Sequence, residues 1–209
     1  GLMPPSFSAP RVNWRTRFTT AVATGLMMLV ITIPARAAQR DRQLASEILA
    51  DPDLPLVLDK ARALLKTGLT AGSGYGEVWI RDLNTFIEVS LEVNPVADIR
   101  AALLTFFKFQ EANGDVPDGY IPKERGSVNY KYRRSALAPG LLAHKNTVET
   151  DQESSLVLAV RKFVTMTGDR SLLTEEVDGK RVLERLELAL GYVLMERFDR
   201  ERGLIWGAT

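Results

Sequence analysis

From residue 54 onward the apolar residues of this chain recur every three to four positions, and no stretch alternates as a long half-buried strand would. Leu56, Val57, Ala61, Leu64 and Leu65 predict a helix over 54–69 that ends near Gly68. Leu83, Phe86, Ile87, Val89 and Leu91 predict a second over 82–93, stopped by Asn94-Pro95. A third follows over 96–112, carried by Ile99, Leu103, Leu104, Phe106 and Phe107, and closes at Asn113-Gly114. Two more are expected over 150–166 and 179–198, the last on Val182, Leu183, Leu186, Leu190, Val193 and Leu194. The nearest approach to a strand is Val78-Trp79-Ile80. Residues 115–146, rich in Gly, Pro, Tyr and charge, are expected to be a loop. Tight connections within helix pairs and long loops between them predict stacked helical hairpins whose loops gather at one end.

Ahead of the helices, residues 17–38 read R-F-T-T-A-V-A-T-G-L-M-M-L-V-I-T-I-P-A-R-A-A, preceded by Arg11 and Arg15. A basic start, an apolar middle and small residues at Ala35 and Ala37 form the pattern of a cleaved secretory signal. The runner-up is a retained membrane anchor, since the apolar run approaches the ~18–20 residues that span a bilayer. The expectation is a signal over 1–37, a domain over 38–209, and a secreted or periplasmic protein without stable membrane insertion. Residues 1–37 hold four arginines and no acid, so their removal takes 27 Lys+Arg to 23 against 26 Asp+Glu, a net charge of −3. That balance, without a basic patch interleaved with aromatics, excludes nucleic acid as the expected partner.

Cysteine is absent, which rules out thiol catalysis and thiolate metal sites. The one histidine, His144, cannot build a multi-histidine centre, and its neighbourhood predicts a solvated loop position. No cofactor and no metal are expected.

Polar groups concentrate at the starts of helices. In V-W-I-R-D-L-N-T-F, residues 78–86, Asp82 stands where an N-cap belongs, which leaves Arg81 and Trp79 unexplained. An aromatic face beside an Arg-Asp pair suits a sugar ring, with C–H surface to stack and hydroxyls to bind. In N-G-D-V-P-D-G-Y, residues 113–120, the composition is that of a turn, with Asp118 and Tyr120 as candidates to face a pocket. In T-V-E-T-D-Q-E-S-S-L, residues 147–156, Thr150 and Glu153 fit a capping box. Glu149 and Asp151 then remain, and Asp151 would be the first helical residue. A general acid must keep its proton, and burial beside a like charge raises a carboxyl by several pKa units, against less than one unit for a helix N-terminus.

With these residues in view, the chain resembles the (α/α)6-barrel, or six-hairpin, glycosidases that include glucoamylases, alkaline/neutral invertases and debranching enzymes. The likeness rests on 78–86, on T-V-E-T-D-Q-E-S-S-L-V-L-A-V at 147–160, and on T-G-D-R-S-L-L at 167–173. It implies an all-α fold, an α/α toroid of helical hairpins, here an incomplete (α/α)6 barrel covering about residues 55–209. It implies an inverting O-glycosyl hydrolase with Asp151 as general acid, Arg81 and Asp82 binding the sugar, and Trp79 as platform. Asp118, Tyr120 and Glu149 complete the expected substrate-binding set. In an inverting mechanism a second carboxylate activates water across a gap of ~6.5–9.5 Å; the resemblance puts that base beyond Thr209. Two alternatives stand beside it: a non-catalytic carbohydrate-binding toroid, and a polysaccharide lyase using Tyr120, Tyr130, Tyr132 or His144.

Overall fold

The structure, a computed structural model, describes residues 38–70, 74–146 and 148–207. The expected signal segment lies outside them. Among the described residues no helix is long and apolar enough to cross a membrane. The chain divides into two compact units, with the division in sequence between Val57 and Leu58. The first contributes a helical stretch over 38–49 (α1) and the start of α2 (Asp53–Leu65), and every described residue in it is exposed.

The second unit holds the core. Helix α3 (Ile80–Val93) buries Ile80, Leu83, Ile87 and Ser90, a spacing of three, four and three that keeps one face inward. Asn94 ends it, and the Asn94 amide donates to the carbonyls of Leu65 at 3.1 Å and Ser90 at 3.2 Å. Helix α4 (Val96–Lys108) turns back on α3 with Ile99, Leu103, Phe106 and Phe107 at or near zero exposure. Helix α5 (Gln152–Thr167) packs against α3, α4 and α7 (Val182–Glu196) through Leu156, Ala159, Val160 and Phe163. Gly168, at φ 73°, closes α5 in the left-handed conformation that glycine adopts without a Cβ clash. A single turn, α6 (Ser171–Thr174), and a hairpin of β5 (Glu176–Val177) and β6 (Lys180–Arg181) lead into α7. A last hairpin joins β7 (Phe198–Asp199) to β8 (Leu204–Ile205).

The helical expectation holds in its coarse form: the chain is mostly helical, with small antiparallel strands added. The expected loop over 115–146 is corrected. It carries β2 (Gly119–Pro122), β3 (Tyr132–Arg133) and β4 (Leu141–His144), which join β1 (Val78–Trp79) in an antiparallel sheet of order β1-β2-β4-β3. Register places Trp79 opposite Gly119, Gly119 opposite His144, and His144 opposite Tyr132. These four share one row across the sheet. The next row is Val78, Tyr120, Ala143 and Arg133, and its side chains leave from the other face.

Two helix starts also differ from expectation. Trp79, not Asp82, occupies the N-cap of α3 and makes no side-chain cap bond, which leaves Asp82 in the first turn. The first N–H of the helix is satisfied from the sheet instead: Ile80 donates to the Asp118 carbonyl at 2.8 Å. Helix α5 begins at Gln152 with Asp151 at the N-cap, so Asp151 is not its first helical residue and Thr150–Glu153 form no capping box. Burial decides this. Glu153 is 1 % exposed and spends its carboxylate on the Val116 N–H at 2.9 Å and Lys145 Nζ at 3.1 Å.

Candidate functional site

Sheet and helix starts meet around a cleft of about 630 Å³ lined by Trp79, Arg81, Asp82, Asp118, His144 and Glu149, with Tyr75 and Tyr130 at its sides. The row across the sheet builds its floor. A Cβ on Gly119 would come 3.0 Å from the Trp79 ring, so the bare backbone there lets the indole lie across β2. The indole then meets the His144 ring edge to face at 5.8 Å, and the Tyr130 ring meets His144 edge to face at 4.9 Å. His144 is therefore a strand residue whose side chain is 18 % exposed, which corrects the expected solvated loop position.

Arg81 projects from the first turn of α3 toward the segment ahead of α5. Its Nη1 lies 2.6 Å from Glu149 Oε1 and its Nε 3.2 Å from Asp151 Oδ2. The Glu149 contact, joined by the charges of Asp151 and Asp82, holds the guanidinium proton beyond its ordinary range. Asn146 Nδ2 sits 3.4 Å from the second Glu149 oxygen.

Asp118 lies behind this rim at 3 % exposure. Its backbone N–H donates to the His144 carbonyl at 2.8 Å, and its own carbonyl receives Ile80, so one residue ties β4 to the start of α3. Its carboxylate accepts the Asn146 N–H and the Gln152 side-chain amide, and Oδ2 lies 3.4 Å from His144 Nδ1. Burial is the main influence on this carboxyl and lifts its pKa to about 6, against the lowering effects of the Asn146 N–H, Lys145 and His144.

Beyond Asp118 runs a polar network. Lys145 Nζ reaches the Val116 carbonyl at 2.8 Å, Asp115 Oδ1 at 2.8 Å and Glu153 Oε1 at 3.1 Å. Arg133 holds Asp115 Oδ2 at 2.8 Å and Glu111 at 2.9 Å. Burial alone would raise Asp115, but hydrogen bonds and charge from Lys145 and Arg133 outweigh it and bring the group below its usual range. Asp151, Gln152 and Glu153 thus point three ways: to Arg81, to Asp118 and to Lys145.

The residues singled out from the sequence separate accordingly. Trp79, Arg81, Asp82, Asp118 and Glu149 line one cleft. Tyr120 belongs to the opposite face of the sheet, where its ring meets Phe106 at 5.2 Å in the core and burial pushes its hydroxyl up. Asp151 stands at the rim on Arg81, with its side chain 54 % exposed, so the desolvation a proton-holding carboxyl needs is found at Asp118 and not at Asp151. Sequence reasoning named His144 only for the lyase alternative and missed Gln152. No local pattern marks their places in the cleft, because β4 pairs with β2 about two dozen residues earlier and Gln152 meets Asp118 34 positions away.

A hollow of about 660 Å³ along α7, lined by Glu184, Glu187, Leu188 and Gly191, contains none of these groups and no aromatic ring. The aromatic and charged residues singled out above gather at the sheet-side cleft. Compared with family models, with curated proteins and with solved structures, the chain matches none.

Proposed function

We propose that this chain holds the sugar of a glycoside hydrolase built on stacked helical hairpins of the (α/α)6-toroid kind. Supporting the toroid, α5 packs between α3 and α7, and the starts of α3 and α5 lie together where Arg81 meets Glu149 and Asp151. The observation that carries the function is the pairing of the Trp79 indole with the Arg81 guanidinium across one cleft. A pyranose presents C–H surface to an aromatic face and hydroxyls to charged donors and acceptors, and this cleft supplies both.

In this reading Trp79 is the platform, Arg81 and Asp82 bind hydroxyls, and Glu149 and Asp118 hold the frame. Asp151 serves as general acid once bound sugar replaces the water around it and takes the Arg81 donors for its own hydroxyls. A second reading, carbohydrate binding without cleavage, is favoured by the position of Asp151, which is half exposed and held 3.2 Å from Arg81 Nε at the rim. The lyase reading fits less well. Asp82, Asp118 and Glu149 all face the cleft, and the charge of Arg81 is already opposed by Glu149 and Asp151, so a uronate would meet net repulsion.

The test is calorimetric binding of methyl pyranosides by the 209-residue chain and its turnover of phenyl glycosides in azide, which attacks the anomeric carbon without a protein base while the general acid protonates the departing phenol. Asp151→Asn abolishing turnover while binding persists supports hydrolysis. Binding without turnover in the parent chain supports the second reading. Absence of both overturns the carbohydrate assignment.

A further inference from the structure

Several independent features converge on His144. Strand register sets it in the row that carries Trp79, and the ring lines the cleft. Trp79, Tyr130 and Tyr132 surround it edge to face, with centroids 5.8, 4.9 and 6.4 Å away, which fixes the plane of the imidazole. Its Nδ1 is closed off from solvent and makes no standard hydrogen bond among the described residues, with Asp118 Oδ2 3.4 Å away. Asp118 cannot turn aside to another partner, because Gln152 holds one carboxylate oxygen and the Asn146 N–H the other.

Resting on the carbohydrate reading above, we propose that His144 is a sugar-contacting residue: Asp118 fixes its proton on Nδ1, and Nε2 is thereby left as an acceptor for a sugar hydroxyl in the cleft. Asp118 acts through His144 and is a positioning residue. The nitrogen that carries the proton in a neutral imidazole is set by the partner of the other nitrogen, and a closed-in carboxylate is the strongest such partner here. The gap of 3.4 Å is longer than a formed bond, and such contacts commonly tighten once a ligand closes the site. With its pKa lifted only to about 6, Asp118 is ionised at neutral pH and can accept from Nδ1–H. Among the described residues the other charges around the pair are Lys145, on the carboxylate side, and Arg81, Asp82 and Glu149, which line the same cleft.

The sequence holds one histidine, so a uniformly ¹⁵N-labelled chain gives one pair of imidazole nitrogens to assign. At pH 7.5 the proposal expects the proton on Nδ1 in the parent chain. It expects a shift toward the Nε2–H form in Asp118→Asn, with circular dichroism and thermal melting establishing that the variant is folded. A parent chain already in the Nε2–H form overturns the proposal without need of any variant. Titration with a panel of methyl α- and β-pyranosides then separates the two levels of the argument. A pyranoside that quenches tryptophan fluorescence in the parent chain but not in Trp79→Phe, and moves Nε2, supports the contact, and His144→Ala then weakens its binding about five- to tenfold, the loss of one hydrogen bond. Quenching with Nε2 unmoved overturns the role of His144 and leaves the sugar site standing. No pyranoside affecting either probe overturns the carbohydrate reading itself, and this inference with it.

Discussion

Arg81 Nη1 lies 2.6 Å from Glu149 Oε1, an ion pair that joins the first turn of α3 to the segment leading into α5. Both side chains keep more than two fifths of their surface in water. A pair so exposed contributes little to stability, about 0–1 kcal/mol, because water screens the attraction and two long side chains lose rotamer freedom. A donor aimed into a cleft contributes more to a bound ligand.

Arg81→Ala therefore separates the two quantities. Urea unfolding midpoints should move by less than about 1 kcal/mol in free energy, while pyranoside affinity measured by calorimetry should fall about tenfold or more, the cost of losing a charged hydrogen-bond donor at ~1.5–3 kcal/mol. Equal losses of stability and affinity would assign Arg81 to the scaffold.

Glu153 makes the opposite case. It is 1 % exposed, and removing its carboxylate strips the Val116 N–H of its acceptor and takes one partner from Lys145, whose side chain is itself only 11 % exposed. Glu153→Ala should cost about 3–5 kcal/mol in chemical denaturation. Glu153→Gln keeps an oxygen for Val116 and should cost roughly half as much. A small effect in both variants would mean that Asp115 alone satisfies Lys145.

This network also marks where sequence reasoning stopped. The interiors of α3 to α5 and α7 are legible from the three-and-four spacing of their buried residues, as Ile80, Leu83 and Ile87 illustrate, whereas α2 buries only Leu65. Their starts are not, because the capping signals at Asp82 and Thr150 compete with partners that are distant in sequence. Ile80 finds the Asp118 carbonyl, and Glu153 finds Val116. The sheet is illegible for the same reason. Its strands are two to four residues long, too short for a period, and Val78 pairs with Tyr120 across more than forty positions. Trp79, Arg81, Asp82, Asp118 and Glu149 could be named from the sequence because they crowd helix starts and a turn, but the row that brings His144 to them exists only once the sheet has formed.

Asp118 gives the fold a signature in pH. Its pKa rises from an unfolded value near 3.8 to about 6, so the folded chain binds this proton more tightly than the unfolded chain. The resulting stabilisation is complete below about pH 4 and is lost as pH rises through 6, an effect on the order of 2–3 kcal/mol. Groups such as Asp115, held low, act in the reverse sense, so the comparison is a difference. Stability of the parent chain minus that of Asp118→Asn, from urea melts between pH 4 and 8, should fall as pH rises through 6 and then level. A flat difference would place the carboxyl in contact with water.

Gly114 tests how closely the turn after α4 meets α7. Its φ of 101° lies where a side chain is strained, and a Cβ built there would stand 2.0 Å from the Leu188 carbonyl oxygen. Gly179, at φ 70°, carries a left-handed conformation as well, but a Cβ there meets nothing within 4 Å. The two glycines thus isolate the two costs. Gly179→Ala should lose about 1–2 kcal/mol, the left-handed penalty for a residue with a Cβ. Gly114→Ala must also push backbone apart, which adds ~1–3 kcal/mol of overpacking. The Gln110 amide donates to the Gly114 carbonyl at 3.1 Å and the Arg185 carbonyl at 2.8 Å, so displacement of the turn should loosen α7 as well. Hydrogen exchange should then speed up at the α7 amides in Gly114→Ala and not in Gly179→Ala. Matching melting temperatures for the two variants would show that the turn yields without disturbing the helix.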